Sequence, residues 1–138
     1  MKKLIFSLLL ITTSIVGKGQ AHIGSTEAEI RAMEPTNQFS SGYLKTTDGE
    51  TLKYISSYFA LGQFFYYFKD GKSKFCTQFP DDIPSLNAQV EIYNSKYVRI
   101  NPNKWQAYLD KGGRMEIILD YDAKRDLRYA TYKNGYVR

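Results

Sequence analysis

Two stretches of the chain carry apolar residues at the spacing of an amphipathic helix, in which every third or fourth position lies on one face. The first stretch is short. Thr26 and Glu29 form a capping box at its start, Ile30 and Met33 provide one apolar face, and Pro35 stops it. Because a helix of two turns is not stable alone in water, we expect it to dock on the rest of the domain.

The second helix is predicted from about residue 83 to residue 96. Asp81 or Asp82 is its expected N-cap, and Pro84 is compatible with a first helical turn. Four apolar positions at offsets of four, three and four residues form one stripe of this helix: Leu86, Val90, Tyr93 and Tyr97.

Between the two helices the pattern changes to short runs typical of strands. Asp48-Gly49 and Asp70-Gly71 predict tight turns of two hairpins, with strands at residues 42–47, 50–58, 63–68 and 73–79. The run FFYYF is apolar on both faces of its strand, which predicts a central strand covered on each side. Successive side chains point to opposite faces, so the run divides into Phe64, Tyr66 and Phe68 against Phe65 and Tyr67.

About three strands follow the second helix. The first is expected near Trp105, Ala107 and Leu109, with residues 98–100 leading into it, and the others cover residues 114–121 and 127–132. The turn between the first two is assigned to Lys111-Gly112-Gly113. Runs of adjacent strands joined by hairpins favour an α+β fold, with one short and one longer helix packed on an antiparallel meander sheet of about seven strands in the order α-ββββ-α-βββ. Both halves have the form of a helix followed by a meander.

The N-terminus predicts a secretory signal peptide at residues 1–21. Lys2 and Lys3 are followed by an apolar stretch that is too short and too interrupted for a comfortable membrane span, and small residues stand at Gly19 and Ala21. Cleavage after Ala21 is preferred, while cleavage near Gly17 and an uncleaved anchor remain alternatives. The remaining chain is assigned to one α+β domain at residues 22–133 and a C-terminal tail at residues 134–138.

Charge and cysteine content bear on the class of protein. The 138 residues carry a formal charge of +5, but removal of residues 1–21 leaves 16 basic and 14 acidic residues, a net charge of +2. Such a balance gives little reason to expect a nucleic-acid partner. The single cysteine, Cys76, cannot form an internal disulfide. A periplasmic or secreted bacterial protein, with no transmembrane segment after cleavage, fits these features best.

The stretch IGSTEAEIRAM resembles the first helix of SmpA/BamE-like domains and of the beta-lactamase-inhibitor-protein-like fold. The matching positions are Gly24, Thr26, Glu27, Glu29 and Ile30. In the C-terminal half, the stretch LNAQVEIYNSKYVRI, followed by Trp105 and a Gly-Gly turn, is similar to small exported proteins of Bacteroidetes. The resemblance implies helices lying on one face of an antiparallel sheet, with the other face or the loops free for a partner. The chain has neither the lipobox cysteine of the first group nor the disulfides of the second.

Candidate catalytic groups are few. His22, the sole histidine, would be the N-terminal residue of the processed chain and is assigned to a disordered end. Cys76 is assigned to a buried position on a strand, and Asp81-Asp82 to helix capping. Asp120, Asp122 and Asp126 are assigned to a solvated turn. The chain contains no phosphate loop, catalytic triad or zinc spacing, so we expect no enzymatic activity, no cofactor and no metal.

Surface recognition is the remaining hypothesis, because twelve tyrosines are many for this length and tyrosine is favoured at interfaces. The function predicted is that of a non-enzymatic module that binds a protein partner or another component of the cell envelope. A carrier of a small apolar ligand or peptide between sheet and helix, and an enzyme of unrecognised type, are the alternatives. The oligomeric state is left open. The candidate binding residues are Tyr54, Tyr58, Tyr66, Trp105 and Tyr108.

Overall fold

The computed structural model describes residues 22–108 and 113–135. The predicted signal peptide, Leu109, Lys111, Gly112 and residues 136–138 of the predicted tail lie outside the described residues. The elements are α1 (Glu27–Met33), β1 (Ser40–Lys45), β2 (Thr51–Phe59), β3 (Gly62–Lys69), β4 (Lys72–Phe79), α2 (Ile83–Lys96), β5 (Val98–Asn101), β6 (Lys104–Tyr108), β7 (Arg114–Asp122) and β8 (Leu127–Gly135).

Both predicted helices are confirmed, and side-chain caps define their starts. At α1 the Glu29 N–H donates to Thr26 Oγ1 at 3.2 Å. At α2 the Ser85 N–H donates to a carboxylate oxygen of Asp82 at 2.7 Å. Each cap satisfies a backbone donor that has no partner within the helix. Neither helix among the described residues is long and apolar enough to cross a membrane.

The eight strands form one antiparallel sheet in the order β1-β2-β3-β4-β8-β7-β6-β5. The α+β class with an antiparallel sheet is confirmed, but the prediction of about seven strands in sequence order is wrong. The strand that was missed is β5, whose four side chains are all exposed. Without a buried face, these residues lack the alternation that identifies a strand in a sequence.

The sheet consists of two four-stranded meanders joined through their last strands. Each half of the chain begins with a helix, places its first strand at an outer edge of the sheet, and ends at the centre. The join is the antiparallel pair β4–β8, from Phe75 opposite Lys133 to Gln78 opposite Ala130. The arrangement has the order expected of two α-β-β-β-β units related by a two-fold axis between β4 and β8.

Both helices pack on the same face of the sheet. One row of directly paired residues crosses six adjacent strands on this face, and every member is at most 1% exposed: Ile55, Tyr66, Cys76, Tyr132, Ile117 and Trp105. Ile30 of α1 and Tyr93 of α2 complete this cluster. The alternation predicted for the FFYYF run is therefore correct, with Tyr66 on the helix side.

A buried hydrogen-bond network fastens α2 to the central strand pair. Gln78 Nε2 donates to Gln89 Oε1 at 2.6 Å, and Gln89 Nε2 donates to the Tyr132 hydroxyl at 3.0 Å. The Tyr132 hydroxyl donates to the Gln78 side-chain oxygen at 2.7 Å, and the Tyr93 hydroxyl lies within hydrogen-bond distance of this oxygen, at 3.2 Å, and of the Tyr132 hydroxyl. All four side chains are at most 1% exposed, and their mutual bonds offset the cost of burying polar groups.

The network predicts a non-additive pair of substitutions. Gln89→Leu removes the acceptor of the Gln78 amide donor and should lower the free energy of unfolding by about 1–3 kcal/mol. The double variant Gln78→Leu, Gln89→Leu removes both amides, so its cost should fall below the sum of the two single costs. Urea denaturation followed by circular dichroism measures all three values, with the exposed Asn87→Ala on the same helix as control. If the cost of the double variant equalled the sum of the two single costs, Gln78 and Gln89 would not be coupled as the network requires.

Gly62 gives a second prediction. Its φ is +143°, and a Cβ there would lie 2.2 Å from the carbonyl oxygen of Phe79, so Gly62→Ala should cost about 3 kcal/mol or more. Gly49 also has a positive φ, +89°, but open space around it, so Gly49→Ala should cost only about 1–2 kcal/mol. The excess cost at Gly62 combines the steric conflict with β4 and the difference in backbone strain between the two φ values. Equal losses in thermal or urea unfolding would show that the strand approach is not tight.

Candidate functional site

The structure does not bring the five predicted binding residues together. Tyr54, Tyr58 and Tyr108 lie on the face of the sheet opposite the helices, as their register with neighbouring strands requires. Tyr58 is 70% exposed and Tyr108 is 71% exposed, but five strand spacings, about 24 Å, separate β2 from β6. These tyrosines therefore cannot form one compact patch.

Tyr66 and Trp105 are corrections to the predicted site, because both are fully buried on the helix side. The Trp105 ring lies 5.1 Å from the ring of Tyr93, and its Nε1 donates to Asn94 Oδ1 at 2.9 Å. Burial raises the pKa of the Tyr66 hydroxyl far above its ordinary value, so this tyrosine is neutral. Both side chains are part of the core and are not available to a partner.

A different group of side chains forms the most distinctive surface of the molecule. We call it the aromatic face. It lies on the side of the sheet away from both helices, it spans β2, β3, β4 and β8, and its members are Tyr54, Phe65, Tyr67, Phe75, Phe79 and Tyr129. Tyr67 is buried and the other five are half-buried.

The rings of the aromatic face pack against one another. Tyr67 and Phe75 are stacked with centroids 4.5 Å apart, and Phe79 and Tyr129 are stacked at 5.5 Å. Phe65 meets Phe79 edge to face at 5.6 Å, which links the two stacks. Rings only 4.5 Å apart overlap face to face, so they cannot lie flat and side by side on the sheet. Each stack therefore covers one face of each of its two rings.

Gly42 extends the aromatic face to the edge of the sheet. It is paired directly with Tyr54, and a Cβ at this position would lie 2.5 Å from the Tyr54 hydroxyl oxygen. The missing side chain lets the Tyr54 ring lie across β1. Tyr54 also approaches the rings of Phe65 and Tyr67, at 5.5 and 5.9 Å.

The aromatic face is uncharged, and a strip of charged groups borders it. Thr77 lies among the rings and shares a 3.3 Å hydrogen bond with Tyr67, whose pKa is raised by burial despite that bond. On the neighbouring strands Glu116 lies 3.2 Å from the Lys104 ammonium and 4.0 Å from that of Lys133. A partner would therefore meet a neutral aromatic surface with mixed charges along one side.

Two candidate groups for chemistry, His22 and Cys76, are buried in the structure. Contrary to the predicted disordered end, His22 is only 8% exposed; its Nε2 lies 3.4 Å from Glu34, and its ring centroid 5.7 Å from that of Tyr66. The segment is fixed because the Gly24 N–H donates to the Ser73 carbonyl oxygen at 2.8 Å. Cys76 is buried as predicted, and burial raises the pKa of its thiol. A neutral, enclosed thiol is a poor nucleophile.

A shallow pocket at the start of α2 contains three carboxylates, those of Asp81, Asp82 and Asp126. Hydrogen bonds from Ser85 hold the pKa of Asp82 below its ordinary value, so this group is an ionised helix cap. Asp126 accepts a 2.6 Å hydrogen bond from the Tyr121 hydroxyl. Two of the three carboxylates thus stabilise local structure. Within residues 22–108 and 113–135, no three His, Cys, Asp or Glu side chains, these carboxylates included, are placed so that they could hold a metal ion together.

The layer between sheet and helices is filled by side chains. Its largest side chains are each less than 2% exposed: Trp105, Tyr66, Tyr93, Tyr132 and Phe64. A small apolar ligand held between sheet and helix, the first alternative function, would have to displace these groups.

Sequence reasoning selected tyrosines by residue type, whereas strand alternation was the better signal. The alternation had already placed Phe65 and Tyr67 opposite Tyr66. Continuing the same two-residue period along β4 and β8 adds Phe75, Phe79 and Tyr129 to that side. The pairing of β4 with β8, which joins these positions into one surface, could not be recognised from local pattern.

In comparisons with protein families, curated proteins and solved structures, nothing matches this chain. The resemblance to SmpA/BamE-like and inhibitor-like domains stays a prediction.

Proposed function

We propose that the protein is an exported, non-enzymatic module that binds a protein partner of the cell envelope through its aromatic face. The observation that carries the proposal is the contiguous array of six aromatic side chains on the helix-free side of the sheet. Apolar surface of this kind, bordered by polar groups, is typical of interaction sites. Tyrosine and phenylalanine supply large contact areas with little loss of side-chain freedom on binding.

The packing of the rings favours a protein over a polysaccharide as the partner. A sugar ring stacks on an open aromatic face, but Tyr67 and Phe75 each have one face covered by the other ring. Ring edges carry partial positive charge and accept the faces of other rings or carbonyl oxygens, both of which a folded protein supplies. The neutral character of the surface fits a partner whose contact region is also uncharged.

Site-specific photo-cross-linking in the native cells tests this proposal. A photoreactive phenylalanine analogue at Tyr129 should give a discrete adduct with another envelope protein. The same analogue at Tyr121 is the matched control, because the two residues lie on paired strands one position apart and point to opposite faces. Both substitutions keep an aromatic ring, so neither removes much packing.

Three outcomes would contradict the proposed binding surface. They are the absence of an adduct at Tyr129, equal adducts at both positions, and an adduct that contains only this chain. A repeat at Tyr54 extends the test to the other end of the aromatic face.

Export gives a separate prediction. Because the His22 side chain is buried and residues 22–25 are fastened to Ser73, signal peptidase would have to act before this part of the domain folds. If cleavage occurs after Ala21, the protein recovered from the periplasmic or secreted fraction begins at His22. Intact mass and N-terminal sequencing measure this. A full-length chain in the membrane fraction would support the uncleaved anchor instead, and a start near Lys18 would support cleavage at Gly17.

A further inference from the structure

The two outer edges of the sheet differ in how well they are protected against pairing with another strand. Edge β5 has four residues, its register with β6 shifts between Arg99 and Asn101, and Pro102 follows it directly. Short length, irregularity and proline are the usual means by which proteins block an edge. In contrast, β1 has six residues in unbroken register with β2, from Ser40 to Lys45, and contains no proline.

The side chains of β1 also favour pairing with another strand. Tyr43 is 73% exposed on the helix side of the sheet, and Leu44 is 38% exposed on the side of the aromatic face. Lys45, at the end of the strand, is its single charged residue. An exposed, regular edge with apolar side chains on both faces is a template for strand addition.

We propose that β1 pairs antiparallel with β1 of a second copy of this chain. A two-fold axis perpendicular to the sheet at Tyr43 places Tyr43 opposite its own copy, and it places Ser41 opposite Lys45 and Gly42 opposite Leu44. The register sets no like charges against each other, and each Leu44 lies beside a Gly42 position that the Tyr54 ring covers. The helices of both copies stay on one side, and the two sheets join into one of sixteen strands.

The blocked β5 edge explains why copies of this chain pair in a closed arrangement through β1. Pairing of β1 with β5 of another copy would repeat without end and build a fibre. Because β5 is unsuited to pairing, the sheet can extend only through β1. In a two-fold dimer both β1 edges are paired, so no β1 edge is left for a third copy. The aromatic faces of the two copies then lie side by side on the same surface.

Oligomeric state measured on the purified, processed protein tests the proposal. Light scattering after size exclusion should give the mass of a dimer at micromolar concentration. Tyr43→Lys places two ammonium groups on the two-fold axis and should raise the dimer dissociation constant about tenfold or more. Val98→Lys is the matched control on the other edge, where the side chain is 54% exposed, and should leave the dimer intact. Circular dichroism verifies that each variant is folded.

A disulfide tests the register independently. Directly opposed residues of antiparallel strands have Cα atoms about 4.5–5.5 Å apart, within reach of a disulfide. Oxidation of a Tyr43→Cys variant should therefore give a covalent dimer, whereas Val98→Cys should not. Native Cys76 is buried and does not compete.

Any of three results overturns the dimer: a wild-type protein that is monomeric at all concentrations, a dimer dissolved by Val98→Lys and not by Tyr43→Lys, or cross-linking through Val98→Cys. These variants lie on the strand edges and not on the aromatic face. The dimer proposal can therefore be wrong while the aromatic face binds its partner, and binding by the aromatic face can be absent while the dimer forms.

Discussion

The hydrogen bonds among Gln78, Gln89, Tyr93 and Tyr132 are the constraint on which the arrangement of the two halves depends. Gln78 belongs to the last strand of the first half, and the other three belong to the second half. Apolar contacts alone tolerate sliding, whereas buried amides and hydroxyls must each find a partner at a fixed distance. The network therefore fixes α2 over the β4–β8 pair and holds the two meanders in a single register.

With both helices fastened to one face, the opposite face is left to side chains that cover each other. Along each strand, alternate side chains point to the core and to the opposite face. Tyr66 and Tyr67 therefore lie on different faces although they are neighbours in the chain. Tyr66 is fully buried beneath the helices, and Tyr67 stacks on Phe75 in the aromatic face. The candidate binding surface thus follows from the same register that builds the core.

The local features of this fold were predictable from sequence, and its long-range pairings were not. Caps at Thr26 and Asp82 and the turn at Asp70-Gly71 act within a few residues, so the helices and the first hairpins could be recognised. The β4–β8 pair joins residues more than fifty positions apart and has no local pattern. Trp105 was misplaced because its ring suits a surface or a core equally. Gln89 gave no signal, since a polar side chain alone does not reveal that its partners are buried with it.

The central position of β4 also bears on how the chain reaches this structure. The four-stranded meander of the first half pairs strands that are adjacent in the chain, and such pairs form faster than long-range pairs such as β4–β8. Until β8 arrives, β4 is the outermost strand of this half, and Cys76 lacks the Tyr132 that pairs opposite it. The Cys76 thiol is fully buried only once β8 is in place, so its protection from oxidants depends on completion of the second half.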